Sequence, residues 1–345
     1  MSFSFSIFTH KFSKNENSKE KKGGFMNYSQ FMLKMKDGLQ ERLDAAVEIE
    51  MVSVPKNNGV VMQGFALRRP GEKVVPTIYT EGFYTDYLEG RDLEDILEDF
   101  LEIYEEQGEA LPPDVEFFED YGKVKKRLSL KLVNGKKNKK MLAEMPHKDF
   151  LDMAVVFYCL VDSPFAGTAA ILIKDAHMEN WGVTAEELYQ DALANAEKMM
   201  PGTIRSMEEL LSRMVLEEET PVWEWREEEK EDFPGLEGAQ VQNRGMGGIP
   251  LLVLTNSRRY LGAACMLYRG LLAEFAGKLG KNFYILPSSV HEVILLPEDK
   301  VKDSGNLLQM VMEVNQTQLA PEEVLSDAVY YYDRKSGKIS IYDEK

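Results

Sequence analysis

Apolar residues recur at two spacings in the first part of the chain, and each spacing predicts a different element. A period of four predicts an amphipathic helix over 27–43, carried by Phe31, Met35, Leu39 and Leu43. The next segment, 46–54, alternates apolar and polar positions, which is typical of a half-buried strand. The turn signal Asn58-Gly59 follows. We therefore expect 60–67 to return as the second strand of a hairpin, with a third extended piece at 76–79.

The clearest helical patterns carry capping residues at their N-termini. Asp92 precedes an amphipathic segment that runs to Tyr104, and Thr184 with Glu187 predicts a capping box before a helix that runs to Met199. Segment 262–279 is almost entirely apolar and predicts one buried helix that ends at Gly280. Shorter helices are predicted over 114–127, 134–142, 206–214 and 307–314.

Strand patterns dominate the remainder, and short turns join many of them. Strands are predicted over 128–133, 151–161, 168–173, 250–254, 283–286, 290–296, 329–332 and 338–342. A few residues can join antiparallel strands, whereas parallel strands need long crossover connections. The predicted fold class is therefore α+β, with mostly antiparallel sheet, packed helices and two subdomains.

Shifts in composition divide the chain into four parts. Residues 1–25 join an apolar start, broken by serines, to a lysine-rich stretch. We expect them to be a disordered tail, or a segment upstream of a true start at Met26. Residues 217–248 begin with a strongly acidic run and continue as a polar stretch that contains glycine, which predicts a flexible connection. The two α+β regions then cover 26–216 and 249–345.

The charge balance argues against one class of partner. The chain has 41 Lys and Arg residues against 58 Asp and Glu residues, and its net charge of −17 repels phosphate backbones. The densest basic run is Lys136, Lys137, Lys139 and Lys140, with further basic residues over 123–131, Lys131 among them, just before it, and no aromatic platform is interleaved with the run. We interpret it as a set of solvated lysines, and we expect no nucleic-acid partner.

Cysteine content and hydropathy favour a cytoplasmic protein. The two cysteines, Cys159 and Cys265, both lie in apolar segments, which argues against a secreted disulfide scaffold. The most apolar stretch, 151–173, is interrupted by Asp162 and Pro164, so it cannot supply the ~20 apolar residues that span a bilayer. We expect a cytoplasmic location and no membrane association.

The first candidate site is the segment 287–293, PSSVHEV. His291 adjoins Glu292 and follows Ser288 and Ser289, and these are the residue types of nucleophilic catalysis. On a strand, however, His291 and Glu292 would point to opposite faces, and the chain has no G-x-S-x-G motif. A hydrogen bond from His291 across the sheet is the preferred interpretation. Ser289 and His291 are kept as catalytic candidates, and Ser288 and His291 as ligand-binding candidates.

The second candidate site is the predicted strand-to-helix junction 255–264, TNSRRYLGAA. A helix N-terminus presents free N–H groups that hold anions, and Asn256, Arg258 and Arg259 lie beside this one. Phosphate-loop and dinucleotide motifs are missing, and small residues at a helix start also serve packing. An anion or carboxylate site and a plain packing role both remain open here.

No pattern in the chain is typical of a metal or cofactor site. His147, His177 and His291 are widely separated, and neither an H-E-x-x-H motif nor paired cysteines accompany them. The glycines at 245–248 precede a predicted strand, which is the reverse of a dinucleotide fingerprint. We expect no metal and no cofactor.

Several longer phrases, taken together, carry a family resemblance. They are VPTIYTEGFYTDYLEG, NWGVTAEELYQDALANAEKMMP, LTNSRRYLGAACMLY and FYILPSSVHEVILLP. Over nearly all of 27–345, the chain resembles an uncharacterised domain-of-unknown-function family of anaerobic gut bacteria of the clostridial type. The resemblance implies a bacterial, cytoplasmic protein, and it brings no established activity, cofactor or catalytic residue.

Three functions are compatible with these observations. The preferred hypothesis is a non-enzymatic binding or regulatory module for an unknown protein or a small anionic ligand, with a groove near Arg258 and His291. The first alternative is a hydrolase that uses Ser289, His291 and an acid from another segment. The second alternative is an acidic nucleic-acid mimic derived from a mobile element.

Overall fold

The computed structural model of the chain describes residues 25–70, 75, 77–108, 116–163, 167–207, 251–301 and 304–343. Nearly all of the predicted tail, the whole acidic connection at 217–248 and most of the predicted helix 206–214 lie outside the described residues. Those three predictions therefore stay predictions.

The described residues contain helices and strands in alternating groups. The α-helices are α1 (Tyr28–Arg42), α2 (Glu81–Leu88), α3 (Leu93–Gly108), α4 (Tyr121–Val124), α5 (Lys139–Leu142), α6 (Asp175–Trp181), α7 (Ala185–Met199), α8 (Leu271–Leu279) and α9 (Gly305–Thr317). The strands are β1 (Glu48–Pro55), β2 (Val61–Arg68), β3 (Thr77–Tyr79), β4 (Leu128–Asn134), β5 (His147–Phe150), β6 (Met153–Ser163), β7 (Gly167–Leu172), β8 (Gly202–Ser206), β9 (Leu252–Asn256), β10 (Phe283–Pro287), β11 (Val293–Pro297), β12 (Tyr330–Asp333) and β13 (Lys338–Ile341). This content confirms the predicted α+β class.

Contacts group the described residues into two compact units, and each is described by itself. The first unit draws on residues 1–56, 60–119 and 159–171, and the second on 57–59, 120–158 and 172–345. The division predicted at 217–248 lies outside the described residues and stays a prediction.

The first unit is built on an antiparallel sheet in the order β1-β2-β3. β1 and β2 form the predicted hairpin, and its register pairs Glu48 with Arg68 and Pro55 with Val61. α1 begins at a capping box in which Asn27 and Gln30 bond reciprocally. Its apolar stripe packs with α2, α3 and the sheet, and the core is rich in aromatic rings. The most buried members of this core are Phe31, Met35, Leu39, Phe65, Ile96 and Phe100.

The second unit contains a six-stranded sheet in the order β13-β12-β10-β11-β9-β8. Every neighbouring pair in this sheet is antiparallel, which confirms the predicted sheet type. A further sheet has the order β4-β6-β5, and β7 also pairs with β6. α7 packs on β4 and begins at the predicted capping box of Thr184 and Glu187.

Two predicted elements near the candidate sites are wrong in their extent. Segment 262–279 is not one helix: a short 3-10 helix, Gly262–Leu267, is followed by α8, and Gly270 between them has a left-handed φ of +75°. A continuous helix cannot pass through that conformation. The strand predicted over 290–296 begins only at Val293, so His291 and Glu292 lie in the turn between β10 and β11.

Gly262 is required by a close approach of backbone segments. A Cβ atom at this position would collide with Thr255 Oγ1 and would lie 2.7 Å from both Asn256 N and His291 O. We expect Gly262→Ala to lower the free energy of unfolding by about 1–3 kcal/mol, the usual cost of overpacking. Urea denaturation measures this change.

The matched control is Gly277→Ala in α8, where a Cβ atom would meet nothing within 4 Å. Alanine is the better helix former, so this variant should gain about 0.5–1 kcal/mol. A Gly262→Ala variant as stable as the wild-type chain would show that the close approach does not exist in solution.

Candidate functional site

One face of β4 and β6 carries three polar side chains among apolar ones. Side chains alternate along a strand, so Ser129, Lys131 and Val133 of β4 share a face. Val133 belongs to a buried cluster with Ala154 and Val156 of β6. Tyr158 lies two residues beyond Val156 and continues the same face. Ser129, Lys131 and Tyr158 are thus presented together.

The 255–262 segment, which leads into the 3-10 helix packed against β4, is shaped by the buried amide of Asn256. Asn256 Oδ1 accepts from the backbone N–H groups of Arg258 at 3.0 Å and Tyr260 at 3.2 Å, and its Nδ2 donates to Tyr260 O at 2.8 Å. The bonds permit left-handed φ angles at Arg259 and Leu261, of 51° and 54°. The geometry gives Asn256 a structural role, because its amide is already occupied.

The turn that carries His291 is fastened to this loop. Thr255 Oγ1 donates to His291 O at 2.8 Å, and the Leu261 N–H donates to His291 Nδ1 at 3.1 Å. The His291 N–H in turn donates to Ser289 Oγ at 2.9 Å. Because Nδ1 accepts a hydrogen bond, the neutral ring carries its proton on Nε2. The Nε2 side of His291 is therefore a hydrogen-bond donor.

Electrostatics keep His291 neutral. Burial lowers the pKa of His291, and the positive charge of Lys131 lowers it further. His291 Nε2 lies 3.8 Å from Glu323 Oε1, and burial, with the neighbouring Glu322, raises the pKa of the Glu323 carboxyl. Protonation of His291 would also deprive the Leu261 N–H of its acceptor. Because the folded-state pKa lies below the unfolded value of 6.5, the stability that neutral His291 contributes is lost as the pH falls below 6.5.

Lys131 does not fit the interpretation of a solvated basic run. Lys136, Lys137, Lys139 and Lys140 are exposed as expected, but Lys131 is half-buried. Burial lowers the pKa of its amine to about 8. Within the described residues, Lys131 makes neither a hydrogen bond nor an ion pair. The prediction was wrong here because the polar face of β4 is covered rather than open to water.

Two buried hydroxyls lie on the same face as Lys131. Ser129 Oγ and Tyr158 Oη are buried, and apart from their contact with each other neither has a hydrogen-bond partner in the part of the chain that the structure describes. Burial raises the pKa of Tyr158, while the hydroxyl of Ser129 and the charge of Arg258 act in the opposite direction. An unsatisfied buried hydroxyl costs about 1–3 kcal/mol, so an additional polar group would stabilise both.

The remaining candidate residues near this group differ in their burial and in their contacts. Arg258 and Tyr260 are half-buried, and the Tyr260 ring lies 5.7 Å from the His291 ring. Arg259 is exposed, and its charge favours the ionised form of Glu292, whose pKa burial raises. Ser288 Oγ donates to Glu292 Oε1 at the long distance of 3.5 Å. We call the inner set the Lys131 cluster: Ser129, Lys131, Tyr158, Arg258, Tyr260 and His291.

Of the six residues of this cluster, two were predicted as site residues, a third, Tyr260, lies within the predicted junction 255–264, and three were missed. Arg258 and His291 were named as candidates, whereas Ser129, Lys131 and Tyr158 were not. A lysine inside the apolar strand LSLKLVN was the available signal. The helix N-terminus proposed as an anion site belongs instead to a six-residue 3-10 helix. The anion-site prediction therefore depends on side chains rather than on a helix end.

Comparisons with known proteins give a family and no function. A model described as a family of unknown function, DUF5688, matches residues 28–334. The chain belongs to the DUF5688 family. No match was found among curated proteins or among solved structures. In this DUF5688 chain, the described residues contain no helix long and apolar enough to cross a membrane. They also contain no group of three or more His, Cys, Asp or Glu side chains placed to hold a metal ion.

The charge of Lys131 should be measurable at His291. In the wild-type chain, NMR titration of the imidazole should give a pKa below the ordinary 6.5. Lys131→Met should raise the pKa of His291 only part of the way, because burial, the larger cause, remains.

The control is Lys136→Met, since Lys136 is exposed and lies outside the cluster. It should leave the His291 titration unchanged. An equal shift in both variants, or a wild-type His291 pKa above 6.5, would contradict the proximity of Lys131 and His291.

Proposed function

We propose that the protein binds a small anionic ligand at the Lys131 cluster and acts as a non-enzymatic binding module. One observation carries this proposal: Lys131 is half-buried, and it has no carboxylate partner among the described residues. A partly buried cation without a counter-charge loses part of its hydration, and a bound anion would offset that loss.

The other groups of the cluster suit an acceptor-rich ligand. Neutral His291 offers only an N–H at Nε2, because Nδ1 is taken by Leu261. Arg258 adds a second positive charge, and the hydroxyls of Ser129 and Tyr158 add donors. Charged hydrogen bonds contribute about 1.5–3 kcal/mol each, so two of them correspond to roughly millimolar affinity. A carboxylate or a phosphate has the required chemistry.

The same geometry gives the hydrolase alternative little support. Ser289 Oγ accepts a hydrogen bond from the backbone N–H of His291, not from its ring. The ring nitrogen that could act as a base, Nδ1, accepts from Leu261 instead. A serine nucleophile needs a basic nitrogen within hydrogen-bond reach of its hydroxyl. The geometry around His291 therefore lacks the contact that a serine nucleophile requires.

The nucleic-acid mimic and the binding of a protein partner, both predicted from the sequence, remain secondary proposals. No observation on the described residues favours a nucleic-acid mimic over a ligand-binding module, and none identifies a protein partner. A bacterial source of the clostridial type and a cytoplasmic location stay predictions from the sequence.

Binding is tested by thermal unfolding of the full chain with inorganic phosphate, succinate and pyruvate as probes. Each is added at roughly 10 mM, about ten times the expected Kd, against sodium chloride of equal ionic strength. Linkage at that saturation contributes about 1.4 kcal/mol, so at least one probe should raise the Tm of a chain of this length by about 2 °C. Lys131→Met should abolish the shift.

Lys136→Met is again the matched control, because it removes one exposed lysine and the same formal charge. It should keep the shift, which separates a local site from general attraction of anions. If no probe raises the Tm beyond the chloride reference, or if Lys131→Met responds like the wild-type chain, the cluster is not an anion site.

A further inference from the structure

We propose that a pocket at one end of the six-stranded sheet binds a small polar molecule that carries both an ammonium and a carboxylate group, as a free α-amino acid does. The pocket has a volume of about 680 Å³, within the range of roughly 300–1,000 Å³ of small-molecule sites. It shares no residue with the Lys131 cluster, so this inference goes beyond the proposed function. Apart from Gly280, every residue that lines it is charged or is an amide: Lys281, Asn282, Glu298, Asp299, Arg334 and Lys335.

The register of the sheet brings the walls of this pocket together. Phe283 of β10 pairs with Pro297 of β11 and with Tyr332 of β12. The residues just beyond these pairs therefore lie at the same end of three neighbouring strands. The Glu298 N–H donates to Asn282 O at 3.1 Å and extends the contact beyond the sheet. The pocket is thus built on the ends of rigid elements.

The Asn282 side chain connects a positively charged residue to a negatively charged one. Its Oδ1 accepts from the Arg334 backbone N–H at 3.0 Å, and its Nδ2 donates to Glu298 Oε2 at 3.2 Å and to Tyr331 Oη at 2.7 Å. Tyr331 Oη in turn donates to Glu298 Oε1 at 2.8 Å. A carboxylate has about four acceptor positions, so Glu298 is fixed in place and can still accept from an ammonium group.

The positive side of the pocket also has unused capacity. Arg334 Nη1 donates to Gly280 O at 2.6 Å, which leaves Nε and Nη2 without a partner among the described residues. Two neighbouring N–H groups of a guanidinium match the two oxygens of a carboxylate. The Lys335 amine makes no ion pair to the part of the chain that the structure describes, although it lies close enough to Asp333 to lower the pKa of that carboxyl.

The charges of the pocket favour a ligand with both signs of charge. Glu298 would repel a simple anion, and Arg334 with Lys335 would repel a simple amine. Lys281 and Asp299 lie 2.5 Å apart and neutralise each other. Because no apolar side chain lines the pocket, a small or polar amino acid fits its chemistry better than an apolar one. These groups are largely exposed, which weakens each contact, so we expect a Kd of roughly 1–10 mM.

The test is an NMR titration of the full wild-type chain with glycine, which carries the two charged groups and no side chain. The side-chain amide of Asn282 and the backbone amides of Arg334 and Lys335 should shift and saturate, with a Kd of about 1–10 mM. Acetate and methylammonium, each added at the same ionic strength, carry only one of the two groups. Each should bind at least about fivefold more weakly than glycine.

Arg334→Gln and Glu298→Gln should each weaken glycine binding at least about fivefold, because each removes one of the two charges. The matched controls, Arg269→Gln and Glu313→Gln, change exposed residues outside the pocket and should leave the Kd unchanged.

Three results would overturn the inference. Acetate or methylammonium binding as tightly as glycine would show that one charge is enough. Shifts that do not saturate, or that spread over amides far from the pocket, would show that glycine has no site there. Glycine binding that survives in both pocket variants would exclude the two charged groups. The comparison of the three probes is made on the wild-type chain, so a poorly folded variant does not change the decision.

Discussion

The hydrogen bonds between the His291 turn and the 255–262 loop are the constraint on which the candidate site depends. Thr255 Oγ1 and the Leu261 N–H both bond to His291, and Gly262 leaves room for the contact because it lacks a Cβ atom. These bonds determine which ring nitrogen of His291 carries the proton. They also hold the loop in a conformation in which two residues have left-handed φ angles. The chemistry available at His291 is therefore set by the backbone of another segment.

Elements whose signals are local could be predicted from the sequence. The capping box of Thr184 and Glu187 places the start of α7, and the alternating segment after α1 places β1. Each signal acts between residues a few positions apart, so it survives in the folded chain. The break at Gly270 could not be predicted in the same way, because an apolar run is compatible with one helix or with two.

The candidate site could be predicted only in part, for a related reason. Arg258 and His291 are conspicuous near predicted turns, whereas Lys131 belongs to a strand whose alternation allows an open polar face. Whether that face meets water depends on what covers it, and the 3-10 helix that packs there is more than a hundred residues away in sequence. Periodicity shows which side chains share a face, but it does not show what lies against them.

The hydrogen bonds made by another charged residue of the second unit provide a comparison for the groups of the Lys131 cluster that lack charged partners. At Asp152, the same unit completes its polar contacts: the carboxylate accepts from Ser326 Oγ at 2.7 Å and from Tyr330 Oη at 2.6 Å. Charge-assisted bonds of this kind stabilise a fold by about 1.5–3 kcal/mol each. Within the described residues, Lys131 has no ion pair, and the Tyr158 hydroxyl has no charged partner of this kind. Asp152 therefore has its hydrogen-bond donors, whereas Lys131 lacks a counter-charge, which lowers stability at that position. Such a local loss of stability is expected where a ligand supplies the missing contacts.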